Sequence, residues 1–184
     1  MEGMNSLSKE KKSSTFKQHH PKKIFLVWAP ASIRAENISR RLEAHLYLIS
    51  YKFKNKIYFP IKYPLLFAKT FIILKREKPE IIICQNPPIL TALSVMICSY
   101  LLGMNSIVVI DSHTGAFCRP WSYLKTLNKI VMKRAAETIV TNVELQDDVL
   151  HNYGIRSIVL EDPIPDFELI INEEGWLKKI KNSK

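Results

Sequence analysis

The chain has 184 residues, 47% hydrophobic and 24% charged, with 27 Lys and Arg against 17 Asp and Glu for a formal net charge of +10. That length holds one domain with a proper core and hardly two, in an ordinary globular composition. Its three widely spaced cysteines, Cys84, Cys98 and Cys118, show no CxxC or zinc-type Cys/His spacing, so a reduced cytosolic setting is expected. The basic balance favours polyanions, whether nucleic acid, anionic lipid headgroups or phosphorylated substrates.

Met1 to Lys23 is a basic tail in which Lys9, Lys11, Lys12, Lys17, Lys22 and Lys23 oppose only Glu2 and Glu10. It carries too little apolar surface to offset its ordering entropy, so residues 1–21 are expected to be disordered. Such a tail serves either as a tether to anionic lipid or as a solubilising extension. It has no apolar signal region, so no secretory signal is expected.

Ile24 to Trp28 is an apolar first strand, stopped by Ala29-Pro30. Ser32 can cap the helix that follows. Ile38, Leu42 and Leu46 fit a 3.6-residue period, and Arg34, Glu36, Arg40, Arg41 and Glu43 form its wet side. Strand, short turn and helix follow in the order of a nucleotide-binding unit, but no GxGxxG or GxxxxGK[ST] is present. Ser32 and Arg34 are either contacts to an anionic ligand or simply a cap and a solvated charge.

Leu46 to Tyr51 and Ile57 to Phe59 read as two short strands joined by the basic turn 52–56, with Pro60 and Pro64 bracketing the start of a helix over 65–78. That helix is apolar at Leu65, Leu66, Phe67, Phe71, Ile72, Ile73 and Leu74 with lysines at its margins. It suits a membrane surface or a helix packed on a sheet. Glu80 to Cys84 is the next buried strand and runs into the rigid polar lip Gln85-Asn86-Pro87-Pro88. Pro88 opens a helix over 89–102, closed by Gly103. No charge occurs from Gln85 to Ile110, yet the helix is shorter than the roughly 20 residues of a bilayer span, so a buried core helix is expected.

The uncharged, β-branched run Ile107 to Ile110 is a strand of the kind buried on both faces, and it ends in Asp111-Ser112-His113-Thr114-Gly115. His113 with Asp111 two residues earlier is either a base and its orienter or a structural hydrogen-bond pair. Ser122 to Arg134 reads as a helix with Leu124, Leu127, Ile130 and Val131 inward. Thr138 to Asn142 is a strand ending in polar groups. Glu144 to Tyr153 is a helix closed by Gly154, and Ser157 to Leu160 is the last strand. Pro163 and Pro165 then stop regular structure, and 167–184 reads as a short C-terminal linker or tail.

The alternation of strands and helices predicts an α/β fold, a doubly wound parallel sheet in a three-layer, Rossmann-like αβα arrangement over 22–166. Right-handed crossovers bring Pro30 to Arg34, Gln85 to Pro88, Asp111 to Gly115 and Thr141-Asn142 to one rim, where such sheets bind ligands.

The segments ICQNPP, IVVIDSHTGAF, ETIVTNVELQDDV and LEDPIPDF, spread over 22–166, resemble the N-terminal half of a GT-B glycosyltransferase of the family 4 type. QNPP with D-x-H also resembles the signature of the chitobiosyldiphosphodolichol mannosyltransferases. The resemblance implies an acceptor-side half of a metal-independent, cofactor-free enzyme that moves a sugar from a nucleotide-sugar to a lipid-linked or polysaccharide acceptor. It implies that the Pro30 to Arg34 loop faces the inter-domain cleft, that His113 lies beside the transferred sugar and that Asn86 and Asp111 shape the site. With the placement at the rim, His113 and Asp111 are the expected catalytic residues, and Ser32, Arg34, Gln85, Asn86, Ser112, Thr114, Gly115 and Asn142 the expected substrate-binding ones. It places the protein in the cytoplasm, peripheral at the inner face of the cell membrane. The donor needs a second, C-terminal half, which is absent from this sequence. The expectation is therefore a chain inactive alone: a truncated product, a subunit of a split transferase, or a binding-only domain. The alternative is a non-catalytic, membrane-associated scaffold. Nucleic acid is not an expected partner, because no RNA motif or recognition helix accompanies the charge.

Overall fold

The computed structural model describes residues 20–51 and 59–162. The expected disorder of the tail and the linker after Asp162 concern residues that lie, apart from His20 and Pro21, outside these. The apolar runs Ile24 to Val27, Ile81 to Cys84 and Ile107 to Ile110 lie in strands. The order of elements along the chain is β1 (Lys23–Val27), α1 (Ile33–Leu42), β2 (His45–Leu48), α2 (Phe59–Glu77), β3 (Ile81–Asn86) and α3 (Ile89–Leu101). Then come β4 (Ile107–Ser112), α4 (Lys125–Arg134), β5 (Glu137–Val140), α5 (Val143–Tyr153) and β6 (Ile158–Val159).

The six strands lie in the order β2-β1-β3-β4-β5-β6, and every neighbouring pair is parallel, as the helical crossovers predict. Connections leave β1 toward one edge and β3 toward the other, so the topological switch point falls between these two strands. Alternate residues feed two cores. Ile24, Leu26, Ile82, Cys84, Val108, Ile110 and Val140 face α2, α3, α4 and α5, while Phe25, Val27 and Ile83 face α1 through Ala35 and Ile38. Each fully buried aliphatic side chain, such as Leu66, Leu74 or Ile82, contributes about 1.5–3 kcal/mol.

Several local expectations are corrected. The first helix ends at Leu42 because Glu43 turns left-handed (φ 52°), so Leu46 belongs to β2 and Leu42 is exposed rather than part of the buried stripe. The helix expected from Leu65 starts at Phe59, so Phe59 is helical rather than extended, while 57–58 lie outside the described residues. Pro64 is the sixth residue of that helix, past the first four N–H groups, so its missing N–H leaves one intrahelical bond unmade near the helix start. In α4 the helical phase turns Ile130 outward and puts Asn128 inward with Val131 and Met132. Arg34, assigned to the wet side of α1, is buried.

Candidate functional site at the carboxyl rim of the sheet

The site is built where β1, β3 and β4 end. Ser32 is the N-cap of α1 and its Oγ accepts from the Ala35 N–H at 3.2 Å. This starts the helix at once after the β1 loop and swings Arg34, in the first turn, over the end of β4. Arg34 Nε donates to both oxygens of Asp111, at 3.1 and 3.0 Å, and Nη2 donates to Asp111 Oδ1 at 2.8 Å. Nη1 reaches Asp162 Oδ1 and Nη2 the Leu160 carbonyl, each at 2.8 Å. A cation at a helix N-terminus opposes the macrodipole, so it persists here because two carboxylates and a carbonyl surround it.

Asp111 is wholly buried. Burial alone would raise its carboxyl. The contacts to His113 and Arg34 outweigh that, and the net direction is below the ordinary carboxylate value. Burial also disfavours the Arg34 charge, but Asp111 and Asp162 more than offset it, so its pKa is raised. At neutral pH the pair is therefore ionised, and Asp111 serves as a fixed negative charge rather than as a proton donor.

His113 follows directly. Its backbone N–H donates to the Asn86 carbonyl at 2.9 Å, which ties the β4 exit to the β3 exit. Its side chain keeps 24% of its surface, and Nε2 stands 3.2 Å from Asp111 Oδ2. The two are close enough for charge contact, yet Nε2 makes no aligned hydrogen bond; such bonds commonly tighten only when substrate binds. His113 projects into a cleft of about 560 Å³ that Ala31, Ser32, Ile33, Arg34, Asn37 and Asp162 also line.

The remaining expected residues divide. Asn86 is buried and donates through Nδ2 to Ser112 Oγ and to Asn128 Oδ1, both at 3.2 Å. Asn86, Ser112 and Asn128 thus form a polar brace beneath the rim. Gln85 Oε1, Asn86 Oδ1 and Asn128 Nδ2 are buried with no protein partner there. Thr114 and Gly115 are exposed on the 3-10 turn Thr114–Ala116 beside His113 and do not line the cleft. Asn142 caps α5 by accepting from the Leu145 N–H at 2.8 Å and does not line it either. Among the described residues no group of His, Cys, Asp and Glu is placed to hold a metal ion.

Two partners escaped the sequence reading. Asp162 lies 128 residues from Arg34, and no local pattern signals a contact at that range. Asn128 did leave a signal: it is a polar residue between Leu127 and Val131 on the inward side of a helix, where an unpartnered amide would be costly. No protein-family model matches the chain, and no curated protein matches it.

Proposed function

We propose that this chain is the acceptor-side half of a GT-B-type glycosyltransferase that transfers a sugar from a nucleotide-sugar to a lipid-linked or polysaccharide acceptor. The observation that carries the reading is His113. It is partly exposed in a cleft at the carboxyl rim, beside a buried, ionised Asp111 and the first turn of α1. The segments QNPP and DSHTGAF support the same family. A histidine so placed can hydrogen-bond a sugar hydroxyl or support charge as the donor's phosphate leaves. The N-terminus of α1 favours an anionic group in the same cleft.

On this reading Asp111 holds charge beside His113, and Arg34, which lines the same cleft, is held in place by Asp111, Asp162 and the Leu160 carbonyl. The described residues form one wall of a cleft whose chemistry depends on two, for positioning and for exclusion of water. The nucleotide-sugar donor therefore requires a second half, in cis or as another subunit. The reading places the protein in the cytoplasm at the inner face of the cell membrane. No helix among the described residues is long and apolar enough to cross a membrane, so the association assigned is peripheral.

The test is His113→Ala in an enzyme reconstituted with a donor-binding half, reading transfer of labelled sugar into an extractable lipid or glycan. Asp111 keeps Arg34 when the imidazole is removed, so the thermal midpoint should hardly move. Turnover should fall by at least about one order of magnitude, as for loss of a group used in the transition state. A clear drop in midpoint with activity per folded molecule intact would remove His113 from the chemistry.

A further inference from the structure

The outward side of α2 and α3 is unlike the wet side of an ordinary sheet-packed helix. α2 buries Leu66, Thr70, Ile73 and Leu74, yet Ile61, Leu65 and Ile72 are 51%, 38% and 57% exposed. Spacings of four and seven residues place these three in one stripe along the helix. α3 packs against α2 and adds Ile97, Tyr100 and Leu101, which are 40%, 84% and 62% exposed. α3 carries no charged residue at all. Lys69 and Lys75 are exposed on α2. The only carboxylate of α2 is its last residue, Glu77, already held by Lys22 and Arg76.

We propose that the α2–α3 face docks on an anionic lipid bilayer. Its apolar side chains would enter the boundary between headgroups and acyl chains, and Lys69 and Lys75 would lie against the headgroup phosphates. Charge decides between this occupant and a second copy of the chain. Two copies meeting face to face would set lysines against lysines with no carboxylate of the patch to answer them, whereas anionic headgroups supply the missing sign. Tyr100, the most exposed of the six, has the apolar ring and polar tip that suit a bilayer interface. Neither helix is long and apolar enough to span, so the surface lies on the membrane rather than through it. This inference stands on the α2–α3 face and is independent of whether the chain transfers sugar.

The experiment is flotation of the full chain with phosphatidylcholine vesicles, with and without phosphatidylglycerol. The wild-type chain should float with the anionic vesicles and lose binding as salt rises. Ile72→Glu with Leu101→Glu should weaken the partition by about 10-fold or more, because a charge replaces buried apolar surface at two points of the face. Lys69→Gln with Lys75→Gln should weaken it by a comparable factor, and these exposed substitutions keep the test open if the glutamate pair fails to fold. A variant without residues 1–21 should still float. Unchanged flotation of both face variants overturns the proposal, as does loss of flotation on removing 1–21. So does a wild-type dimer that the glutamate pair splits into monomers.

Discussion

Charge is placed in opposite ways at the two ends of the sheet. Where the strands end, Arg34 and Asp111 keep only 5% and 1% of their side-chain surface and hold each other through three contacts. Where the strands begin, Glu77 meets Lys22 at 2.9 Å and Arg76 at 2.7 Å, but those cations are 51% and 66% exposed. Arg76 also donates to Tyr47 Oη at 3.1 Å. The contacts are equally short, yet their worth differs. Water screens the outer network and would take over any partner lost. At the rim water does not take over for Asp111, and only Asp162 and the Leu160 carbonyl would still face Arg34. The buried pair is therefore costly to break even though it adds little net stability over a well-packed apolar pair. The rim is thus specified by the penalty for error, which suits an element that must hold a cleft in one shape.

The sharpest way to break this comparison is Asp111→Asn. It leaves the Arg34 guanidinium buried with the largely exposed Asp162 as its remaining counter-charge, and about 3 kcal/mol of stability should be lost, the low end for a broken buried pair. Arg34→Met combined with Asp111→Leu should recover much of that loss, since no buried charge of the pair then remains and Asp162, 68% exposed, is solvated. Urea unfolding of the single and double variants gives the answer. A double variant as weak as the single would mean the pair stabilises in its own right.

A smaller effect is expected from Asn128→Leu. The substitution keeps the branched outline but removes the acceptor that Asn86 Nδ2 uses alongside Ser112. About 1–3 kcal/mol should be lost through an incompletely paired buried amide. Because the Asn86 carbonyl accepts the His113 N–H, the imidazole resonances of His113 should shift as well. Lower stability with unmoved His113 resonances would separate the brace from the site.

Smaller still is the effect at the opposite end. Hydrogen bonds from Lys22, Tyr47 and Arg76, with the Lys22 charge, hold the Glu77 carboxyl down to about 2. Its folded value is below its unfolded one, so its contribution is present above about pH 4.3 and is lost as pH falls toward 2. Asp111 is depressed in the same direction and adds to the acid loss. Glu77→Gln should therefore change the midpoint little at pH 7, by the roughly 0–1 kcal/mol of an outer pair, and flatten the acid limb of the midpoint–pH curve. An acid limb as steep as that of wild type would show that Glu77 is not the group responsible.

The inner strands and their parallel order were legible because β1, β3 and β4 are built on short apolar runs bounded by turn formers, and a buried parallel strand needs little else. The rim segments were legible for the same reason, since topology alone sends strand ends to one side. Local patterns failed where distant partners decide. Arg34 looks like a solvated charge until Asp111, 77 residues on, is folded against it. Ile130 and Asn128 lie two residues apart, so a modest error in helical phase exchanges an inward apolar side chain for an inward amide. The GT-B reading adds roles to residues whose positions the fold supplies, and it stands or falls with the tests of His113.

The least disruptive change expected is Gly115→Ala, and it asks why a glycine stands beside His113. Gly115 is not among the residues with a left-handed backbone, where Gly103 and Gly154 fall among the described glycines. A methyl group added there would meet Pro87 Cγ at 3.6 Å and Cδ at 3.9 Å, which is ordinary van der Waals contact. The fold therefore makes no demand for glycine, and alanine should leave stability unchanged or raise it by about 0.4–1 kcal/mol through a less flexible unfolded chain. If Gly115 binds substrate, as its place at the rim predicts, the added methyl group should lower turnover in the reconstituted enzyme while the midpoint holds or rises. Turnover and midpoint both unchanged would make Gly115 a position without function, and the substrate contacts would then have to come from the cleft side of His113, where Ser32 and Asn37 stand.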